Sequence, residues 1–245
     1  MDQLAAKYEE MDLSLNSKKS KFMLMTPGHK RPDILVKIGG EVIEQIEQFR
    51  YLGVELDPKL SYKNHVARMT TKCKQAIGAL CRAIRQWAPR STFGKLYQVT
   101  IEPIMCYSIE SWYPSQVVLQ NSMERVKKYA AKLTLNNFTM DYQKMLEKLN
   151  WKPLSRMVIE KRAIIMHHYI HGSRTLPGNS IVLRRLENAR YSTRHHHALE
   201  VCLPNSSLEA VISSSLNTAK KLWNALPPEI VAIRHPALFK SAIRR

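Results

Sequence analysis

Two hydrophobic rhythms divide the 245-residue chain. Up to about residue 60 the apolar positions alternate or form short runs, and from about residue 61 they recur every three to four residues. The first rhythm suits strands, whose side chains alternate between faces, and the second suits amphipathic helices. "LSLN", "KFMLM", "ILVKI", "EVIE" and "FRYLGVEL" read as short strands joined by tight turns. Gly39-Gly40, between Ile38 and Glu41, fits a two-residue hairpin, because primed turns need positive φ at both central positions. Before them, Leu4, Tyr8 and Met11 share the spacing of a short helix over residues 1 to 12. A small antiparallel unit of this kind leaves strand edges that want neighbours.

In the helical part, Val66, Met69, Cys73, Ile77, Leu80, Ile84 and Trp87 fall on one side of a helix, with Arg68, Lys72, Gln75 and Arg82 opposite. A second helix is predicted over 91 to 113, with Ser91 or Thr92 as N-cap and Pro103 kinking or dividing it. A third, "SMERVKKYAAKLTL", buries Met123, Val126, Ala130 and Leu133 and presents Arg125, Lys128 and Lys132 along one face. After Asn136-Asn137-Phe138 come "DYQKMLEKLN" and "PLSRMVIEKRAIIMHHYIHG", the latter stopped by Gly172. Residues 173 to 207 lack periodicity and read as loop, with one short strand at "ALEVCL". A helix from about Leu208 to Ala225, a Pro227-Pro228 break and a short helix ending in Arg244-Arg245 close the chain. The expected fold class is α+β, a small antiparallel sheet followed by mostly helical structure, with boundaries at 1–60, 61–140 and 141–245.

Charge changes the picture. Residues 1 to 60 hold 9 Lys and Arg against 10 Asp and Glu, while residues 61 to 245 hold 29 against 10, so the whole net charge of +18 comes from the helical part. Such a skew points to a polyanionic partner there. Cys73, Cys81, Cys106 and Cys202 have no C-x-x-C spacing and read as reduced. The N-terminus "MDQLAAKYEEMD" shows neither half of a signal peptide, and no run of apolar residues is long enough to span a bilayer. The expectation is a cytosolic or nuclear protein without a membrane partner.

The order of features carries a resemblance. Asn16, Lys19, Ser20 and Lys21 form an N-x-x-K-[ST]-K joint, followed by an F-x-Y-L-G hairpin of Phe49, Tyr51, Leu52 and Gly53, and then by helices with basic faces. In this order the chain resembles the reverse transcriptase of non-LTR (LINE-type) retrotransposons, from the last part of the palm through the thumb and beyond. "RVKKYAAKLTL", "LNWKPLSRMVIEKR" and "LWNALPPEI" are similar to stretches that recur late in those polyproteins. The resemblance implies a palm remnant over 1–60, a thumb-like region over 61–140, and a basic, mostly helical C-terminal region over 141–245. It implies an RNA or RNA/DNA template-primer as partner, an upstream polymerase domain in the parent protein, and Mg²⁺ in the intact polymerase. Lys19 would serve there as an accessory catalytic lysine beside the nucleotide phosphates, with Asn16, Lys18 and Lys21 along the same edge. Phe49, Tyr51, Leu52 and Gly53 would form the primer grip.

The family's Tyr-x-Asp-Asp turn is missing, for the chain holds no Asp-Asp pair. Two-metal nucleotidyl transfer needs such carboxylates on rigid elements, so nucleotide addition is not expected of this chain. The simplest account is a truncated copy starting just past the catalytic turn, and the other is a true product that extends upstream. For the residues themselves two readings stand. The lysines form either a solvated joint or a phosphate-facing edge, and Phe49 with Tyr51 forms either a core pair or a primer contact. Arg68, Lys72, Arg82, Arg125, Lys128 and Lys132 form either solvated faces or a salt-sensitive, sequence-tolerant nucleic-acid surface. His167, His168 and His171, and the run His195-His196-His197, lack the Glu or Cys partners of a zinc motif, so no metal is expected. The alternative function is a non-enzymatic basic helical interaction protein.

Overall fold

Short polar turns shape the N-terminal part. The computed structural model describes residues 2–26, 34–84, 87–176, 180–183 and 197–244, with side chains from residue 6. His195, His196, Arg245 and the side chain of Leu4 lie outside the described residues. The chain is α+β and divides into two units, Met1–His65 and Val66–Arg245.

In the first unit α1 (Asp2–Glu9) leads into irregular chain. "LSLN" is not a strand, because the Asn16 side chain competes for the backbone. Its Oδ1 accepts from the Lys19 N–H at 3.1 Å, while its carbonyl accepts from Ser20 N–H and Oγ, tying residues 16 to 20 into a turn. The strands pair two by two. β1 (Lys21–Phe22) lies parallel to a later strand, β4 (Glu44–Gln45), an arrangement the alternation did not foretell. β2 (Lys37–Ile38) and β3 (Glu41–Val42) form the expected antiparallel hairpin, with Gly39 at φ +55° and Gly40 at φ +84°. β5 (Phe49–Tyr51) and β6 (Val54–Leu56) form a second, with Leu52 at φ +46° and Gly53 at φ +87°.

Asp57 then organises the exit. One carboxylate oxygen accepts from the Lys59 and Ser61 N–H groups, and the other from Ser61 Oγ and Tyr62 N–H. Four bonds to one carboxylate hold a turn in which Leu60 and Tyr62 both have positive φ, a strained backbone for such residues.

The second unit is helical. α2 (Lys63–Ile84) buries Val66, Met69, Cys73, Ile77 and Ile84 as the spacing requires. Trp87 departs from that stripe. It stands 73% exposed, its Nε1 donating to the Ala83 carbonyl at 2.8 Å across the end of the helix. The second expected helix is divided into α3 (Arg90–Leu96), a π turn over Tyr97–Ile101, α4 (Glu102–Met105) and α5 (Ile109–Trp112). Pro89, not Ser91 or Thr92, precedes α3 as N-cap. The division at Pro103 follows from its ring, which would meet the carbonyl four residues back. The Glu102 N–H bonds the carbonyl of Tyr97, five back, and the widened turn makes room.

α6 (Val117–Leu135) packs on α3 where Gly94 leaves out a side chain, since a Cβ there would stand 2.7 Å from Thr134 Cγ2. α7 (Tyr142–Leu149) is capped by the Asp141 carboxylate accepting from Gln143 N–H, and it stops at Asn150 in the left-handed region. α8 (Leu154–Ile170) ends as expected with Gly172 at φ +75°. The span 208–225 is two helices, α9 (Glu209–Ile212) and α10 (Ser215–Asn224), because the Ser214 side chain caps the second by accepting from Asn217 N–H. α11 (Pro228–Val231) and α12 (Pro236–Arg244) follow. Trp223, Phe239, Met166, Ala163, Val231 and Val201 form the core of this end. The Glu110 carbonyl accepts from Arg162 Nε at 3.0 Å and Ser215 Oγ at 2.5 Å, so segments on both sides of residue 140 join in one unit. Among the described residues no helix is long and apolar enough to cross a membrane.

Candidate nucleic-acid interface

Within the first unit the lysine joint and the aromatic hairpin are both at the surface. Lys18 and Lys19 are exposed on the turn held by Asn16, while Lys21 pairs with Glu44 of the neighbouring strand. That surface pair links β1 to β4 across the parallel strands. Phe49 and Tyr51 share a face by alternation, and both are exposed, so the core-pair reading fails. Leu52 and Gly53 form the tip of that hairpin.

Asp57 and Asp12 are both turn residues. Asp57 is consumed by its turn, and Asp12 lies alone in a turn at φ +56° rather than on a rigid strand. Among the described residues no cluster of three or more His, Cys, Asp or Glu has the arrangement of a metal site. Of the histidines at the end of α8, His167 is a core group. His167 Nε2 bonds the Ile233 carbonyl at 2.7 Å, and its ring stacks 4.3 Å from that of Phe239.

On the second unit the two basic rows are real surface features with different fixings. On α2, Lys72 and Arg82 are exposed and Arg68 is half-buried. On α6, Arg125 is exposed, Lys128 Nζ sits 5.9 Å over the Tyr142 ring, and Lys132 Nζ sits 5.9 Å over that of Phe138. Each cation–π contact is worth about 0.5–1 kcal/mol at a surface. It orients the ammonium, and no ion pair to Lys128 or Lys132 is present among the described residues. Lys127, one position away, behaves oppositely. It is 1% exposed, paired with Glu102 and within reach of Met157 Sδ. The helical period separates these neighbours, and the buried pair belongs to the core.

A groove opens where the last turn of α2, the start of α3 and the end of α6 meet. Its volume is about 420 Å³, within the size of small-ligand sites. Ile84, Phe93 and Leu133 supply the apolar walls, and Arg90, Tyr129 and Phe138 the rim, with no carboxylate in the lining among the described residues. Tyr129 is four residues beyond Arg125 and Lys132 three beyond Tyr129, so aromatic and cationic side chains share one face of α6. Arg90 Nη1 donates to the Leu133 carbonyl at 3.4 Å, satisfying one of the last-turn acceptors of α6. Sequence reasoning passed over Arg90, Tyr129 and Phe138. The signal that could have found them was Tyr129 interleaved among the lysines of "RVKKYAAK", an aromatic where a solvated face would carry a polar residue.

Two of the four cysteines are held as thiols by burial. Burial pushes the Cys73 thiol up to about 11, despite Lys72 nearby. Cys106 is likewise pushed up to about 11, by burial first and by Glu102 second.

The fold and surface define an α+β chain whose helical unit presents basic rows beside an aromatic-rimmed groove. Comparison with family models, curated proteins and solved structures gives no match to it.

Proposed function

We propose that the chain is a catalytically incomplete piece of a non-LTR retrotransposon reverse transcriptase, and that its retained activity is sequence-tolerant binding of RNA or an RNA/DNA hybrid. The observation that carries this reading is the basic row of α6, where Arg125 is exposed and Lys128 and Lys132 are oriented over rings, on the helix that also lends Tyr129 and Leu133 to the groove. Oriented cations are what a phosphate backbone needs, and counterion release supplies the affinity. The motif order from Asn16 to Gly53 supports the family part of the reading. So does the exposure of Met11, Leu13, Met25, Ile34, Leu35 and Val42, apolar side chains that a larger polymerase body would cover.

Nucleotide addition, the chemistry of the intact enzyme, is not proposed for this chain, which holds no Asp-Asp pair. In this reading Lys19 keeps a phosphate-facing place without a reaction to serve, and the hairpin of Phe49 and Tyr51 keeps a primer-contacting surface.

The test is substitution on α6 with binding to an RNA/DNA hybrid as readout. Arg125→Glu combined with Lys128→Gln and Lys132→Gln is expected to lower affinity at least tenfold and to flatten the salt dependence, by about one unit of slope for each phosphate no longer neutralised. Circular dichroism should show the helices unchanged. Unaltered affinity in the folded triple variant would favour the alternative, a basic helical protein whose charge serves an acidic protein partner.

A further inference from the structure

We propose that the groove between α2, α3 and α6 is a binding site for unpaired nucleotides of single-stranded RNA, with a base against the rings of its rim and the neighbouring phosphates on Arg90 and Lys132. This inference rests on the nucleic-acid reading of the α6 face and adds to it a preference for a single strand at one place.

Three observations carry it. The rim rings are not core. Phe138 is 56% exposed and Tyr129 46%, and both line the groove. Exposed rings of this size forgo a large hydrophobic gain unless something else covers them.

The turn that holds Phe138 is also over-determined. Asn136 takes the left-handed conformation at φ +51° that ends α6. The Asn137 Oδ1 accepts from Thr139 N–H at 3.0 Å, Met140 N–H at 2.8 Å and Thr139 Oγ1 at 3.1 Å. Three bonds to one oxygen fix the turn and so present the ring without an entropic cost at binding.

Charge completes the case. Among the described residues the lining holds Arg90 and no carboxylate, and Lys132 Nζ lies over the Phe138 ring. Arg90 uses one N–H on the Leu133 carbonyl, and a guanidinium has further donors in its fork for phosphate oxygens. An apolar peptide would fit the walls equally well but would gain nothing from the cations. A base attached to its phosphates satisfies both. Stacking on aromatic side chains is how single strands are held without sequence preference. Paired bases in a duplex offer no free π face.

The experiment uses the full chain with two probes, a poly(U) oligonucleotide carrying a single 2-aminopurine and a blunt RNA duplex. Stacking should quench the 2-aminopurine fluorescence on binding. The thiol of Cys81, which lines the groove, should be protected from N-ethylmaleimide by poly(U) and not by the duplex. Tyr129→Leu is expected to weaken poly(U) binding roughly tenfold while leaving duplex binding unchanged. Phe138→Leu, which also releases Lys132, should weaken poly(U) binding at least as much, and Phe138→Trp should retain it. Because both rings stand largely outside the core, thermal melts of the Leu variants should match the parent. Unquenched 2-aminopurine with undiminished poly(U) binding in both Leu variants would overturn the groove assignment and leave the basic face standing. Failure of the parent chain to bind either probe at low salt would overturn the nucleic-acid reading itself, and the groove assignment with it.

Discussion

Gly94 shows how much one missing atom decides. Thr134 Oγ1 donates to the Ala130 carbonyl at 2.9 Å, so its methyl cannot rotate away from a new Cβ without giving up that bond. Gly94→Ala is therefore expected to destabilise the helical unit by about 1–3 kcal/mol, read as a lowered urea midpoint. Thr134→Ser, which removes the methyl and keeps the hydroxyl, should recover most of that stability in the double variant. Lys127 makes the complementary point about charge. Its pairing with Glu102 lies inside the helical unit, and Lys127→Ala would leave a carboxylate there without its cation. A cost of about 3–5 kcal/mol is expected by denaturant unfolding. Lys127→Met with Glu102→Gln should cost far less, since neither variant residue keeps a charge in the interior. Neither residue announced itself in the sequence. Gly94 sits in an ordinary helical stretch, and Lys127 is one of two adjacent lysines of which only the helical phase tells which is inside.

Elements whose cause is local were legible, and those whose cause is tertiary were not. Gly39-Gly40 declared its turn because only glycine adopts two successive positive φ values at no cost. The stripe from Val66 to Ile84 declared α2, and Gly172 declared the end of α8. Strand pairs of two residues carry too few side chains to declare a partner, so the parallel pairing of β1 with β4 was hidden. Trp87 misled because spacing continues past the point where a helix stops, and the π turn before Pro103 was visible only as a break of unstated kind. At the site, the basic row of α6 was legible, whereas Arg90 and Phe138 come to it from other segments.

The last turn of α8 carries a further expectation. His167 stacks on Phe239 of α12, faces His171 at 4.4 Å and His168 at 6.0 Å, and lies 6.5 Å from the Trp223 ring. Burial first, and its two histidine neighbours next, hold its pKa below the ordinary 6.5, against the bond to the Ile233 carbonyl. In the folded state the imidazolium is disfavoured. Below about pH 6.5 the unfolded chain thus takes up a proton the folded chain resists, and stability falls as pH drops through that region. Urea unfolding across this range should show the decline, and His167→Gln should shallow it.

At the scale of the whole molecule the charge is divided more sharply than the fold. The strand-rich residues up to 60 are nearly neutral, and the helical remainder holds the entire surplus. A surplus kept only for solubility would be spread over the surface. Here part of it is set over rings, on a helix that also lines a groove with no acid among its described residues, and this is the basis of the proposed nucleic-acid partner. The central claim is tested most directly by a salt titration of binding to an RNA/DNA hybrid. The account predicts a dissociation constant that rises linearly with salt on logarithmic axes, with little dependence on base sequence. Absence of binding at low ionic strength, or an affinity indifferent to salt, would contradict it.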